Sequence, residues 1–202
     1  LSQRNLTRCM GLLGFIYRSI KATAILWIGI FVLAAGAMGA LSLYDSTLGD
    51  GDGVGPEPLN EEEVEEEVRE QVNEIRTNSS LIVLEHDEDL HLQSEDHTER
   101  MAENEMLSHQ IGESTAQDRL GIAGCGYGSE NIVQSWANEE VDIPDSESIR
   151  TYDEESLAEA LVASWMSSEG HRANILTSEF RSTAVSVEIR DDDKVYATQM
   201  FC

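Results

Sequence analysis

Residues 167–176 read SSEGHRANIL, and this short stretch decides how the chain is interpreted. Immediately before it, large apolar residues recur every four positions, which predicts an amphipathic helix over about residues 154–168. His171 follows the end of that helix, where a histidine is readily directed into a cleft. An ordinary structural role would also explain an isolated histidine. Other residues of the chain are therefore needed to distinguish a functional from a structural histidine. The recurring apolar residues are Leu157, Leu161 and Trp165.

An uncharged apolar segment lies near the beginning of the chain. Residues 22–44 contain no charged side chain and are long enough to cross a bilayer as a helix, so they are predicted to form a transmembrane helix. Residues 1–21 carry basic side chains and no acidic one, which places this N-terminal segment in the cytoplasm and the rest outside the membrane. A cleaved signal followed by secretion is the alternative, because Ala35-Gly36-Ala37 resembles a cleavage site.

The charge of the chain is strongly asymmetric. Its 202 residues include 13 Lys and Arg against 39 Asp and Glu, a net charge of −26. Four of the basic residues precede the apolar segment, so the remainder has nine basic against 39 acidic residues, a net charge of −30. Such a surface repels nucleic acid, and we expect no nucleic-acid partner. High salt screens this repulsion, so the composition also predicts a halophile.

Two covalent features are expected in the exported part. Cys9 lies on the predicted cytoplasmic side, whereas Cys125 and Cys202 share the oxidising side. We therefore predict a disulfide bond between Cys125 and Cys202, with two free buried thiols as the alternative. Asn78 begins an Asn-Ser-Ser sequon on the same side and is a predicted glycosylation site, although many sequons stay unused.

The segments after residue 44 follow helical and extended patterns. Residues 45–58 are rich in Gly, Asp and Pro and predict a linker, which leaves 59–202 as one domain. Residues 131–152 are predicted to hold a short helical or loop segment and an acidic loop. The other predicted elements are helices at 61–76, 88–104 and 117–120, and strands at 183–190 and 195–202 joined as a hairpin.

Six separated motifs extend the pattern that begins at residues 167–176. They are NEIR at 73–76, His97 with Met101 on one helix face, MLSH at 106–109, SENI at 129–132, WMSSEGHRANIL at 165–176 and YATQMFC at 196–202. In this order they resemble the CAP superfamily, the cysteine-rich secretory protein, antigen 5 and pathogenesis-related 1 group, in its bacterial and archaeal SCP-like branch. The matches to that branch's WMNSPGHRANIL and TQxF motifs are the most specific.

The resemblance implies an α+β fold, a three-layer α-β-α sandwich in which a small antiparallel sheet lies beneath a cleft. Carried over residue by residue, the cleft would contain His109, Glu130 and His171, while His97 is read as a packed residue of its helix. Eukaryotic members have a second cleft glutamate where this chain has Ser168, so the full set of two histidines and two glutamates is absent. Two imidazoles predict a divalent metal such as zinc bound by His109 and His171.

Three functions remain open from the sequence. The first is a membrane-anchored extracellular module that binds an unknown extracellular ligand and a divalent metal. The second is a metal-dependent, peptidase-like hydrolase in which His109, Glu130 and His171 are catalytic and Glu130 accepts a proton from metal-bound water. Without catalysis, Glu130 would instead hold a histidine in one tautomer by a hydrogen bond. The third is a lipid-binding module, which would need an apolar groove. The chain has no dedicated nucleophile motif or HExxH helix, so whether it is an enzyme is left undecided.

Overall fold

The computed structural model describes residues 58–202. The predicted cytoplasmic segment 1–21, the predicted transmembrane helix 22–44 and all but the last residue of the linker 45–58 lie outside the described residues. Within the described part, no helix combines the length and the apolar character that a bilayer crossing needs.

Four of the five helices described begin where a polar side chain accepts hydrogen bonds from free N–H groups of the first turn, and the fifth, Glu169–Ile175, has no such cap. Asn60 accepts from the amides of Glu62 and Glu63 at 3.0 and 3.4 Å, and Asp87 accepts from Leu90. Thr115 and Asp153 form reciprocal capping boxes at two later helices. The helices are α1 (Glu61–Asn78), α2 (Glu88–Glu103), α3 (Ala116–Ile122), α4 (Glu154–Ser167) and α5 (Glu169–Ile175).

The principal sheet has four strands in the order β1-β7-β8-β4. The predicted hairpin is present as β7 and β8, and β4 also pairs with β8 in the antiparallel direction. β1 pairs with β7 in parallel, so the sheet is mixed and the expectation of an antiparallel sheet is wrong. β1 is a two-residue strand in the connection between α1 and α2. Its direction is therefore set by the two helices, because no hairpin turn joins it to β7. The strands are β1 (Glu85–His86), β2 (Gln110–Ile111), β3 (Ser114–Thr115), β4 (Ser129–Trp136), β5 (Glu140–Val141), β6 (Ile149–Arg150), β7 (Ser182–Ile189) and β8 (Lys194–Phe201).

Alternate residues of β7 pack against different helical layers. Val185 and Val187 join the core formed with α1 and α4, whereas Ala184 packs with Leu90 of α2. Since successive side chains of a strand point to opposite faces, the sheet has helices on both sides. The described domain is therefore an α-β-α sandwich.

The prediction of a helical or loop segment at the start of residues 131–152 is wrong, because residues 131–136 belong to β4. The strand pairs with β8 over eight residues, from Ser129 opposite Phe201 to Trp136 opposite Lys194. It escaped detection because Glu130, Asn131 and Ile132 are all buried in succession, which removes the polar and apolar alternation typical of a strand.

The predicted disulfide bond between Cys125 and Cys202 is present, with the two Cα atoms 5.8 Å apart. It joins the loop before β4 to the residue after β8. A Cβ atom on Gly128 would collide with the carbonyl of Phe201 and with Sγ of Cys125, so this approach requires glycine. Asn78 is the exposed last residue of α1, and its glycosylation stays a prediction.

Candidate functional site

Glu130 is the centre of the site and is held by a buried arginine. Arg119 Nε donates to Oε2 at 2.9 Å, and Arg119 Nη2 donates to Oε1 and Oε2 at 2.8 and 2.7 Å. Both side chains are about 1% exposed. Sequence reasoning missed Arg119, because the two residues lie on a short helix and on an undetected strand with no periodic relation between them.

His109 is fixed in one tautomer by the same carboxylate. Its Nδ1 lies 2.8 Å from Glu130 Oε1, and since an ionised carboxylate only accepts, Nδ1 carries the proton and donates. In the neutral form of the ring, the unprotonated nitrogen is Nε2. Arg119 Nη2 also donates to the backbone carbonyl of His109 at 2.9 Å. The His109 side chain is 51% exposed, so its second nitrogen is available to a ligand.

His171 stands beside His109, with the two ring centroids 6.4 Å apart. The sequence placed His171 after the end of a helix, but the chain breaks at Ser168, whose ψ is 126°, and His171 lies inside the new helix α5. Asn131 donates to the carbonyl of His171 at 3.2 Å, and Asn174 donates to Asn131 Oδ1 at 2.8 Å. These amide side chains connect α5 to β4, the strand that carries Glu130. The positions of His171 and Glu130 are therefore fixed relative to each other.

The NEIR motif supports α5 from its other end. Arg76 is fully buried, and its Nη1 donates to the carbonyls of Ile175 and Thr177 at 2.7 and 2.9 Å. A cation is favourable at the C-terminus of a helix, where carbonyl groups lack partners. Asn73 exchanges two hydrogen bonds with the backbone of Leu84. This motif therefore orients the helix that presents His171 and has no contact with the histidine pair.

The environments of the ionisable groups differ in a consistent way. Burial alone raises the pKa of Glu130, but the hydrogen bond from His109 and the charge of Arg119 outweigh it, so the pKa lies below its ordinary value. Burial, followed by the charge of His109, lowers the pKa of His171. At neutral pH the site therefore combines an ionised Glu130 with an uncharged His171.

His97 lies behind Glu130 and is not part of the exposed pair. Its side chain is 1% exposed, and Nε2 is 3.9 Å from Glu130 Oε1. Burial lowers the pKa of His97 to about 4, although the charge of Glu130 opposes that shift. The expectation that His97 is a packed residue is confirmed, since a neutral imidazole at this depth has no access to an external ligand.

The donor set fits a two-histidine metal site. The oxygens of Glu130 already accept four hydrogen bonds, so the carboxylate acts on His109 and is not itself available as a ligand. Across residues 58–202 no group of three or more metal-binding side chains converges. A cation held by His109 and His171 would take its remaining ligands from water or from a bound partner.

The chain therefore contains a mixed α+β domain, an α-β-α sandwich with a polar surface site. Two histidines and a buried carboxylate on adjoining elements form that site. The family model described as CAP, the cysteine-rich secretory protein family, matches residues 69–201. The chain belongs to this family.

Two solved structures from bacteria have similar folds. An outer surface protein of Borrelia burgdorferi matches with a TM-score of 0.57 and 14% identity, over 71% of this chain and 94% of its own. An extracellular protein containing a SCP domain from Bacillus anthracis matches with a TM-score of 0.51 and 24% identity, over 71% of this chain and 44% of its own. Identities this low establish the fold alone. A comparison with curated proteins returned no match.

Proposed function

We propose that this CAP domain is an extracellular, membrane-anchored binding module that holds a divalent cation such as Zn²⁺ between His109 and His171. One observation carries the proposal: His109 Nδ1 donates a hydrogen bond to Glu130 Oε1 at 2.8 Å, so the unprotonated nitrogen of the neutral ring is Nε2, beside the second imidazole. A metal-binding histidine characteristically donates its other ring N–H to a carboxylate, which sets the tautomer and increases the basicity of the ligand nitrogen.

The low pKa of Glu130 favours binding over hydrolysis. A general base works best when its pKa lies near the working pH. Glu130 is saturated by Arg119 and His109, so it is a weak proton acceptor and its contribution is to orient His109. A bound Zn²⁺ would supply an electrophilic centre with open positions for ligand oxygen or nitrogen atoms. The same open positions would serve a binding module.

The extracellular and membrane-anchored parts of the proposal have separate support. Residues 22–44 satisfy the length and charge criteria for a transmembrane helix with its basic flank inside. The disulfide bond between Cys125 and Cys202 suits the oxidising side of a membrane. Protease protection of the tagged N-terminus in sealed vesicles tests the orientation, and cleavage of that tag from outside would contradict it.

The cation claim is tested by titrating Zn²⁺ into the full chain in detergent while heat is recorded. We expect one site, and we expect His109→Ala or His171→Ala to remove it. Glu130→Gln should weaken binding by about 10- to 100-fold, because the orienting partner is lost. Its folding is checked by circular dichroism.

The chain offers a matched control in a second histidine pair. His86 and His91 have ring centroids 5.5 Å apart; His86 Nε2 lies 3.4 Å from exposed Glu88, and His91 Nδ1 donates to the carbonyl of Val185, so no buried carboxylate orients either ring. His86→Ala should leave Zn²⁺ affinity within about twofold. Retention of the site in both His109→Ala and His171→Ala, or its loss in His86→Ala alone, would overturn the proposal.

A further inference from the structure

Among the residues that the structure describes, most of β7 has no strand neighbour on its side between α1 and α2. β1 pairs with β7 only at Ser182 and Thr183, so within the described part of the chain residues 184–189 have no strand neighbour on that side. Ser182 exchanges both backbone hydrogen bonds with Cys202, which directs the even-numbered residues of β7 toward β8. The backbone groups of the odd-numbered residues therefore face the open edge.

Side chains from both flanking helices occupy this edge. Val187 N–H donates to Glu65 Oε1 at 2.9 Å, and Ile189 N–H donates to Glu61 Oε1 at 2.6 Å. From the other helix, His91 Nδ1 donates to the carbonyl of Val185 at 3.1 Å. An unpaired strand edge can form backbone hydrogen bonds with another extended chain. The three side chains occupy the positions at which the backbone of such a chain would bind.

The groove above this edge is strongly acidic. Its cavity of about 540 Å³ is lined by eight glutamates, two histidines and a single arginine, Arg69. Burial raises the pKa of Glu65 to about 7, although the Val187 hydrogen bond and His91 oppose the shift, and the like charges of Glu61 and Glu95 add to it. These carboxylates are partly desolvated and have few cations near them, so a bound cation would stabilise their ionised form.

We propose that the β7 groove, the open edge at residues 184–189 between α1 and α2, binds an extended cationic segment of a partner protein as an added strand. The partner's backbone pairs with Val185, Val187 and Ile189, and its Lys or Arg side chains pair with the glutamates that it displaces. Six residues of edge accommodate a strand of about 20 Å.

Charge complementarity favours a cationic partner protein over two other candidates, the linker of this chain and a second copy of the chain. Residues 45–58 carry acidic side chains and no basic one, so the groove repels the chain's own linker. A second copy would bring the same acidic surface. The groove shares no residue with the pair His109 and His171, so its binding is independent of the proposed cation site.

The test uses the full chain in detergent and a fluorescent peptide of about eight alternating Lys and Val residues, long enough to cover the edge. We expect saturable binding by anisotropy that weakens with salt. The double variant Glu61→Gln with Glu65→Gln keeps acceptor oxygens at the edge and removes two charges. It should weaken binding by about tenfold.

The matched control is the double variant Glu67→Gln with Glu70→Gln, which removes two carboxyl groups from positions of α1 outside the groove. It should change the peptide's Kd by less than about twofold. Hydrogen exchange supplies the structural readout, because bound peptide should slow exchange at Val187 and Ile189 and leave Ser186, which pairs with β8, unchanged.

Four results would overturn the proposal. The first is an absence of binding by the peptide, and the second is equal weakening in the two double variants, which would indicate attraction by net charge only. The third is unaltered affinity of a peptide whose amides are all N-methylated. The fourth is equal displacement by spermine or Ca²⁺ at matched charge, which would indicate a site for small cations.

Discussion

Glu130 in the histidine site and Glu65 in the β7 groove are both substantially buried, yet their pKa values move in opposite directions. Arg119 and His109 donate to Glu130 and lower its pKa, whereas Glu65 accepts from a backbone amide among other glutamates and its pKa rises to about 7. The comparison teaches that burial raises the pKa of any carboxyl group and that a cationic partner decides whether this rise persists.

The largest expected effect comes from removing the partner of Glu130. Arg119→Ala leaves a buried carboxylate without its cation, and we expect a loss of about 3–5 kcal/mol in the free energy of unfolding. Urea unfolding at pH 7 measures it. The control is Arg150→Ala, which breaks the exposed pair with Glu140 and should cost less than about 1 kcal/mol. Equal losses in the two variants would contradict the assignment of Arg119 as the residue that stabilises the charge.

The next effect is a pH dependence that originates at Glu65. The folded chain holds a proton at a pKa of about 7 that the unfolded chain loses near its ordinary value of 4.5, so this group's contribution to stability falls as pH rises between them. In the wild-type chain this group should lower the free energy of unfolding by up to about 2 kcal/mol as pH rises, after allowance for solvent screening. Glu65→Gln should remove that decrease.

Urea unfolding from pH 5 to pH 8 checks the Glu65 prediction, with Glu70→Gln as an exposed control on the same helix. Glu130 has the opposite sign, because its lowered pKa gives stability that is lost as pH falls through the acidic range. Parallel pH curves for the wild-type chain and Glu65→Gln would show that Glu65 lacks the raised pKa.

The smallest effect concerns the two histidines themselves. Burial and then the charge of His109 lower the pKa of His171, so His109→Ala should move that pKa upward toward its ordinary value of 6.5. A titration followed by histidine ring NMR signals measures the shift. The control is His86→Ala, which is remote from the pair, and a His171 pKa that moves further down in His109→Ala would reverse the stated cause.

Much of the fold follows from local pattern. The apolar spacing at α1, α2 and α4 predicted these helices to within two residues at each end, because caps and amphipathic periodicity are encoded in adjacent residues. The hairpin of β7 and β8 was visible through the alternation at Val185, Val187 and Ile189. β4 was not visible, because Glu130, Asn131 and Ile132 are buried in succession and interrupt the alternation of polar and apolar residues.

The family resemblance brought His109, Glu130 and His171 together, and the structure places these three side chains in one site. The resemblance carried no information about Arg119, and so it left two roles open for Glu130, accepting a proton or holding a histidine in one tautomer. Arg119 favours the second role, since a carboxylate with a lowered pKa orients His109 far better than it accepts a proton.

The sequence by itself determined the helices α1, α2 and α4, the hairpin, the disulfide partners, the acidic surface and the residue types of the histidine site, because each depends on neighbouring residues or on a motif. Only the tertiary structure decided which carboxylate meets a cation. Arg119 reaches Glu130 across eleven residues, and Glu65 reaches Val187 across 122. Such pairings depend on how α1, α3 and the sheet pack, and no local pattern along the chain specifies that geometry.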